Sequence, residues 1–84
     1  MTSVTVYSAG PACVQCRQTF KHLERRGVDF TEVDLRATVA ALEYVTDQLG
    51  YSQAPVVVVD DEPENHWYGF RPDLIDRLAI GRAS

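Results

Sequence analysis

Polar and apolar residues alternate at the start of the chain. In "SVTVY", residues 3–7, β-branched and aromatic side chains interleave with small polar ones, the period-two pattern of a strand. "SAGPA" (8–12) punctuates that run, and the period then lengthens. Cys16, Phe20, Leu23 and Gly27 fall at i, i+4, i+7 and i+11, one stripe of a helix. Gly27 is the expected stop, and Arg25 and Arg26 suit the negative end of the helix dipole. "VDFTEVDL" (28–35) is rich in β-branched and aromatic residues but alternates imperfectly, and reads as a strand buried on both faces. Leu42, Val45 and Leu49, at i, i+3 and i+7, predict a second helix that stops at Gly50.

The most apolar segment is "APVVVVD" (54–60). Four consecutive valines bounded by a proline and by acids predict a central strand covered on both faces. The acidic stretch Asp60 to Glu64, with Pro63, reads as a turn, and "HWYGF" (66–70) as the return strand of a hairpin. Pro72 suits the first position of a last helix, Asp73 falls in its first turn, and Leu74, Ile75, Leu78 and Ala79 form its apolar stripe. The order is β-α-β-α-β-β-α. Strand, helix, strand implies a right-handed crossover with a parallel pair, and the last two strands an antiparallel hairpin. The expected fold class is therefore α/β: a four-stranded mixed sheet flanked by three helices, in one domain spanning residues 1–84.

The chain's only two cysteines, Cys13 and Cys16, stand together at the start of the first helix. A disulfide between them closes almost no loop and is a poor staple for the unfolded chain. Their value is chemical. A cysteine in the first turn of a helix meets free backbone N–H groups and the positive dipole end, and can titrate at about 3.5–7.5 instead of about 8.5. Three residues on, Cys16 lies on the same side of the helix, within disulfide reach, and begins the buried stripe. A C-x-x-C beside a βαβ pattern reads as thioredoxin-like. In that reading Cys13 attacks a substrate disulfide and Cys16 resolves the mixed disulfide.

Two alternatives stand beside it. Zinc commonly takes four Cys or His ligands, and only His22 and His66 remain to complete a set. His22 lies six residues past Cys16, about 120° around the helix axis, so it faces elsewhere. The other alternative is a binding module with two idle thiols.

Net charge and length narrow the function classes. Eighty-four residues allow one core, and a net charge of −4 with a pI of about 4.9 shows no basic surplus of the kind nucleic-acid binders carry. No stretch approaches the roughly 18 apolar residues of a membrane span, and "MTSVTVYSA" lacks the basic and apolar regions of a signal peptide. The expected location is the cytoplasm, where paired cysteines are catalytic or metal-binding more often than structural. Three of the eight basic residues, Arg17, Lys21 and Arg25, run at i, i+4 and i+8 along the cysteine helix; they read as a solvated face or as a means of steering an acidic partner. "HWYGFRPD" gathers Trp67, Tyr68 and Phe70, divided between hairpin core and interface anchors, with Arg71 available to pair with a carboxylate.

"CVQC", "QAPVVV" and "HWYGFRPD", in that order in a short β-α-β-α-β-β-α chain, resemble the NrdH-type redoxins, glutaredoxin-like in sequence and thioredoxin-like in behaviour. The resemblance covers about residues 4–80 and implies a thioredoxin fold. It implies a monomeric cytosolic dithiol donor of electrons to the large subunit of class Ib ribonucleotide reductase, re-reduced by thioredoxin reductase with NADPH. No bound cofactor or metal is implied, only the redox-active disulfide Cys13–Cys16. Carried over by motif, Cys13 is the nucleophile and Cys16 the resolving thiol, within an active-site loop that includes Pro11, Ala12, Val14 and Gln15. Pro55 becomes a cis proline beside the thiols, in a partner groove with Ala54 and Val56. Trp67, Gly69, Phe70, Arg71 and Pro72 match the second signature and become partner contacts.

Two departures are visible. Tyr68 stands where the family carries serine or threonine, and "YSAGPAC" lacks the lysine that precedes the first cysteine in the family. The competing enzyme reading is a glutaredoxin reduced by glutathione. The glycine-glycine-cysteine-aspartate type of ending expected of one is replaced here by "GFRPD".

Overall fold

β3 (Val56–Val59) lies inside the sheet with all four valines buried. In the computed structural model, which describes the backbone of residues 3–83 and side chains 3–79, the strand order is β2-β1-β3-β4. The other strands are β1 (Ser3–Ser8), β2 (Asp29–Asp34) and β4 (Glu62–Tyr68). β1 pairs with β2 in parallel and with β3 antiparallel, and β3 pairs with β4 antiparallel. Helices α1 (Val14–Arg25), α2 (Val39–Glu43, continued by a π-helical turn through Gln48) and α3 (Pro72–Ala83) complete the expected order. This is the four-stranded mixed sheet with three helices of a thioredoxin-like fold. Residues 1, 2 and 84 of the expected domain lie outside the described residues.

Strand alternation sorts the core into two layers. Val57 and Val59 face one layer with Val4, Val6, Leu23, Val28, Trp67 and Ile75, beneath α1 and α3. Val56 and Val58 face the other with Val45, Tyr7, Tyr44 and Tyr51, beneath α2. α1 and α3 are also joined at the surface: His22 Nε2 lies 2.7 Å and Arg26 Nε 2.8 Å from the same Asp76 oxygen. Arg26 first, then His22, holds the Asp76 carboxyl below its ordinary pKa.

Three sequence expectations are corrected. β2 is an edge strand, largely exposed, not a strand buried on both faces. Its imperfect alternation reflects pairing on one side only, and its charges Asp29, Glu32 and Asp34 suit a solvent-facing edge. Phe30 is its main tie to the core, stacked on Phe20 at 5.2 Å. In the second helix, Leu42 is exposed while Ala41 and Val45 are buried. The π turn, closed by the Leu49 N–H donating to the Tyr44 carbonyl, inserts an extra residue and breaks the 3.6 period on which the Leu42 stripe relied. The acidic turn is shorter than expected: β4 begins at Glu62 and includes Pro63 and Glu64, with a register shift opposite Val58 and Val59. Pro63 is tolerated because β4 is the other edge.

Leu23 is fully buried where α1 meets the sheet. Leu23→Ala is expected to cost about 2–5 kcal/mol, seen as a lower urea midpoint with an unchanged slope. Asp76, with a lowered pKa, contributes stability above about pH 4 that is lost as the pH falls through its folded value. Asp76→Asn should therefore be less stable than the parent at neutral pH, the difference closing in acid on thermal melts. A gap that persists at low pH would refute the assignment.

Candidate active site

Cys13 stands between the end of β1 and the start of α1. Its backbone is extended (φ −81°, ψ 106°), so it is the N-cap of the helix. Serine, threonine and aspartate usually hold that place, accepting from an amide of the first turn. Here sulfur does so: the Cys16 backbone N–H donates to Cys13 Sγ at 3.2 Å. The two cysteines form a disulfide with Cα atoms 5.2 Å apart. Cys16 is fully buried and Cys13 only half-buried. When the bond is reduced, the free amides and dipole of the first turn favour a thiolate at Cys13, whereas burial disfavours one at Cys16. An accessible, stabilised sulfur backed by a buried one is what disulfide exchange needs.

The loop before Cys13 turns at Gly10, whose φ of +98° is a conformation that side chains avoid. The Cys13 N–H donates to the Gly10 carbonyl at 3.2 Å, and Pro11 and Ala12 are exposed. The space a Gly10 Cβ would enter is filled by the Arg36 guanidinium, from just beyond β2. Arg36 is gripped by Asp34, with Nη2 2.9 Å from Oδ2 and Nε 3.1 Å from Oδ1. Hydrogen bonding to Arg36 lowers the Asp34 pKa. A cation does lie against the loop that lacks a lysine, and it comes paired with its own counter-ion.

Two further turns are fastened to the cysteine turn. The Ala54–Pro55 peptide is cis, the geometry implied by the resemblance. The Pro55 carbonyl accepts from the Gly69 N–H at 2.7 Å. Gln15 Oε1 accepts from the Phe70 N–H at 3.3 Å, and a Cβ on Gly69 would stand 3.4 Å from that same oxygen. Gly69 itself has φ +83°, so this crossing point favours glycine by its conformation. The loop and cis-proline candidates are thus linked through Gly69 and Phe70, which no local sequence pattern announces.

The remaining candidates divide. Val14 is exposed next to Cys13, while Val56 points into the α2-side core. Ala54 lines a cleft of about 320 Å³ with Ala9, Arg36, Leu42, Val45 and Tyr51. Of the two expectations for Trp67, core or interface, its burial favours the core: it is 5% exposed, and its Nε1 is buried with no hydrogen-bond partner among the described residues. Tyr68, the departure beside it, is exposed and tilted against Tyr51 at 5.4 Å. Phe70 is half-buried, edge-on to His22 at 5.9 Å. Arg71 pairs with Asp73, Nη2 to Oδ2 at 3.0 Å, and Pro72 opens α3. Gly10 and Arg36 were missed from sequence; the glycine of "GPAC" was a usable signal, but the arginine's long-range approach was not. Among the described residues no group of three or more His, Cys, Asp or Glu is placed to hold a metal ion.

The glutaredoxin family model matches residues 4–63. The chain belongs to the glutaredoxin family. It is 40% identical over 75 residues to the glutaredoxin-like protein NrdH of Escherichia coli K12, covering 89% of this chain and 86% of that protein. The gene 56 protein of Mycobacterium phage L5 is 39% identical over 75 residues, covering 89% of this chain and 70% of the phage protein. The solved structure of Escherichia coli NrdH-redoxin, described as glutaredoxin-like with a thioredoxin-like activity profile, superposes with a TM-score of 0.80. That match is 39% identical and covers 90% of this chain and 93% of the other. The chain is an NrdH-like thiol–disulfide oxidoreductase, and Cys13 and Cys16 are its disulfide-forming pair.

Gln15→Ala removes the side-chain acceptor of the Phe70 N–H. The loss of one such bond, about 0.5–1.5 kcal/mol, should speed hydrogen exchange at the Phe70 amide by about 2- to 10-fold. Unchanged exchange there would show that Gln15 does not fasten the turns.

Proposed function

We propose that this redoxin is a dithiol electron donor to the large subunit of a class Ib ribonucleotide reductase, itself re-reduced by thioredoxin reductase with NADPH. The observation that carries the reading is the match over nine-tenths of the chain to an NrdH-redoxin with a thioredoxin-like activity profile. The second signature supports it, since Gly69 and Phe70 of "GFRPD" are bonded to both the cis-proline turn and the cysteine turn.

Cys13 is the nucleophile. Its thiolate attacks one sulfur of the target disulfide, forming a mixed disulfide and expelling the other sulfur as a thiolate, which takes a proton. Cys16 then loses its proton and attacks Cys13 Sγ. The Cys13–Cys16 bond forms, the mixed disulfide breaks, and the second target sulfur leaves and is protonated. The target gains two electrons and two protons, and the redoxin is left oxidised. Two electrons from NADPH, delivered through the reductase, reopen the bond. The exposed neighbours Pro11, Ala12 and Val14 flank Cys13 in sequence and leave the site of attack open to a protein target. The acidic chain acts as a monomer in the cytoplasm, binding neither nucleic acid nor membrane.

A second reading, reduction by glutathione, is favoured by the family match itself. Against it, Asp73 is already engaged by Arg71 in the turn where a glutaredoxin-type ending is absent. The deciding measurement is NADPH oxidation by thioredoxin reductase with the oxidised protein as sole acceptor. Rapid turnover is expected, and Cys16→Ser should abolish it while accumulating the mixed disulfide with a protein target. No turnover with a competent reductase, beside ready reduction by glutathione, would assign the glutathione reading instead.

A further inference from the structure

The cations of this protein are unevenly partnered. Arg26, Arg36 and Arg71 each hold a carboxylate at 3.0 Å or less. Among the described side chains, Arg17, Lys21, Arg25 and Arg77 make no ion pair. Three of those four lie on α1 at i, i+4 and i+8, all exposed, on the helix that Cys13 caps. Glu24 is the one acid on that helix; it is exposed and within ion-pairing distance of none of them. Asp76, the acid across on α3, is taken by Arg26 and His22. With a net charge of −4, a positive face is no by-product of the overall composition.

The face has relief as well as charge. Gln18, Lys21, His22, Arg25 and Phe70 line a cleft of about 190 Å³. Phe70 supplies an apolar wall held edge-on against His22, and its N–H is fastened to Gln15 between the cysteines. From Cys13 to Arg25 the helix runs about 18 Å at 1.5 Å per residue. That is the reach of about five or six residues of extended peptide.

We propose that the Arg17–Lys21–Arg25 face of α1, with Phe70 in its cleft, is a docking surface for an acidic segment of the protein whose disulfide Cys13 reduces. The acids of that segment lie within about six residues of its reacting cysteine, and charge complementarity draws the disulfide to the helix N-terminus. The inference rests on the thiol–disulfide activity and not on which reductase restores the thiols.

The test uses the reduced full chain and three synthetic peptides, each with one disulfide. They carry four aspartates, four lysines or four serines within six residues of a cysteine. At low salt the acidic peptide should be reduced about tenfold faster than the lysine peptide, and added salt should shrink that ratio. Lys21→Glu with Arg25→Glu should reverse the preference, each rate being read relative to the serine peptide's. Arg77→Glu, an equally unpaired cation on α3, should keep it. Equal rates for acidic and basic peptides, or the same loss in Arg77→Glu, would overturn the proposal. Failure to reduce even the serine peptide would instead count against the redox activity. In that event docking is read with an acidic peptide whose cysteines are replaced by serine. Amide shift changes at Gln18, Lys21 and Arg25 support the surface, and their absence refutes it.

Discussion

β3 is covered on both faces, and the rest of the molecule is arranged around that constraint. Four valines in a row leave no polar side for solvent, so one helical layer must lie above and another below. Both edges of β3 are also occupied, by β1 and β4. The strand therefore has little freedom, and the residue that leads into it inherits that rigidity. Pro55 is buried at its head, with its carbonyl holding Gly69. The apolar run that makes the core thus also fixes one wall of the redox site, through backbone and not through side-chain chemistry.

The other wall is set by a sulfur in a capping position. A serine there would satisfy the same amide, and α1 would start just as well. What cysteine adds is a cap that can leave: in the oxidised state its sulfur is bonded to Cys16 and still receives the Cys16 N–H. The helix end needs no rearrangement to accept a charged sulfur after reduction, because its free amides already point there. Burial separates the two thiols. Cys16 sits on the stripe with Thr19 and Leu23, so the feature that packs the helix also hides the resolving thiol.

Much of this was legible in sequence because it is local or periodic. The valine run, the i, i+4, i+7 stripe from Cys16 and the cysteine pair at the helix start need no knowledge of distant residues, and all appear where expected, with Cys13 one step earlier, as the cap and not in the first turn. The errors have physical causes. β2 was read as buried because composition does not reveal which strand ends up at an edge. Leu42 was placed inside because a π turn, which no propensity signals, shifts the phase of the helix by one residue. Trp67 stays divided between core and interface in sequence because tryptophan suits both alike, and only the sheet register decides between them. Arg36 over Gly10 and Gln15 against Phe70 are contacts between segments remote in sequence, and nothing local encodes them.

The charge distribution around the thiols bears on how a thiol–disulfide oxidoreductase works. An interaction that stabilises the Cys13 thiolate quickens its attack, but it also stabilises the reduced form and so weakens the protein as a reductant. A fixed lone cation beside the sulfur would push both effects in the same direction. In this chain Arg36, whose guanidinium lies against Gly10, is paired with Asp34, while at the sulfur itself the first turn of α1 supplies the Cys16 N–H. The unpaired cations Arg17, Lys21 and Arg25 are placed instead along α1 from its fourth residue onward. In the docking proposed above, Lys21 and Arg25 act on an approaching molecule more than on the thiol, since they lie about 12 and 18 Å along the helix from Cys13 and solvent screens an exposed charge over about 10 Å or less. Encounter and thiolate stabilisation would then rest on different residues.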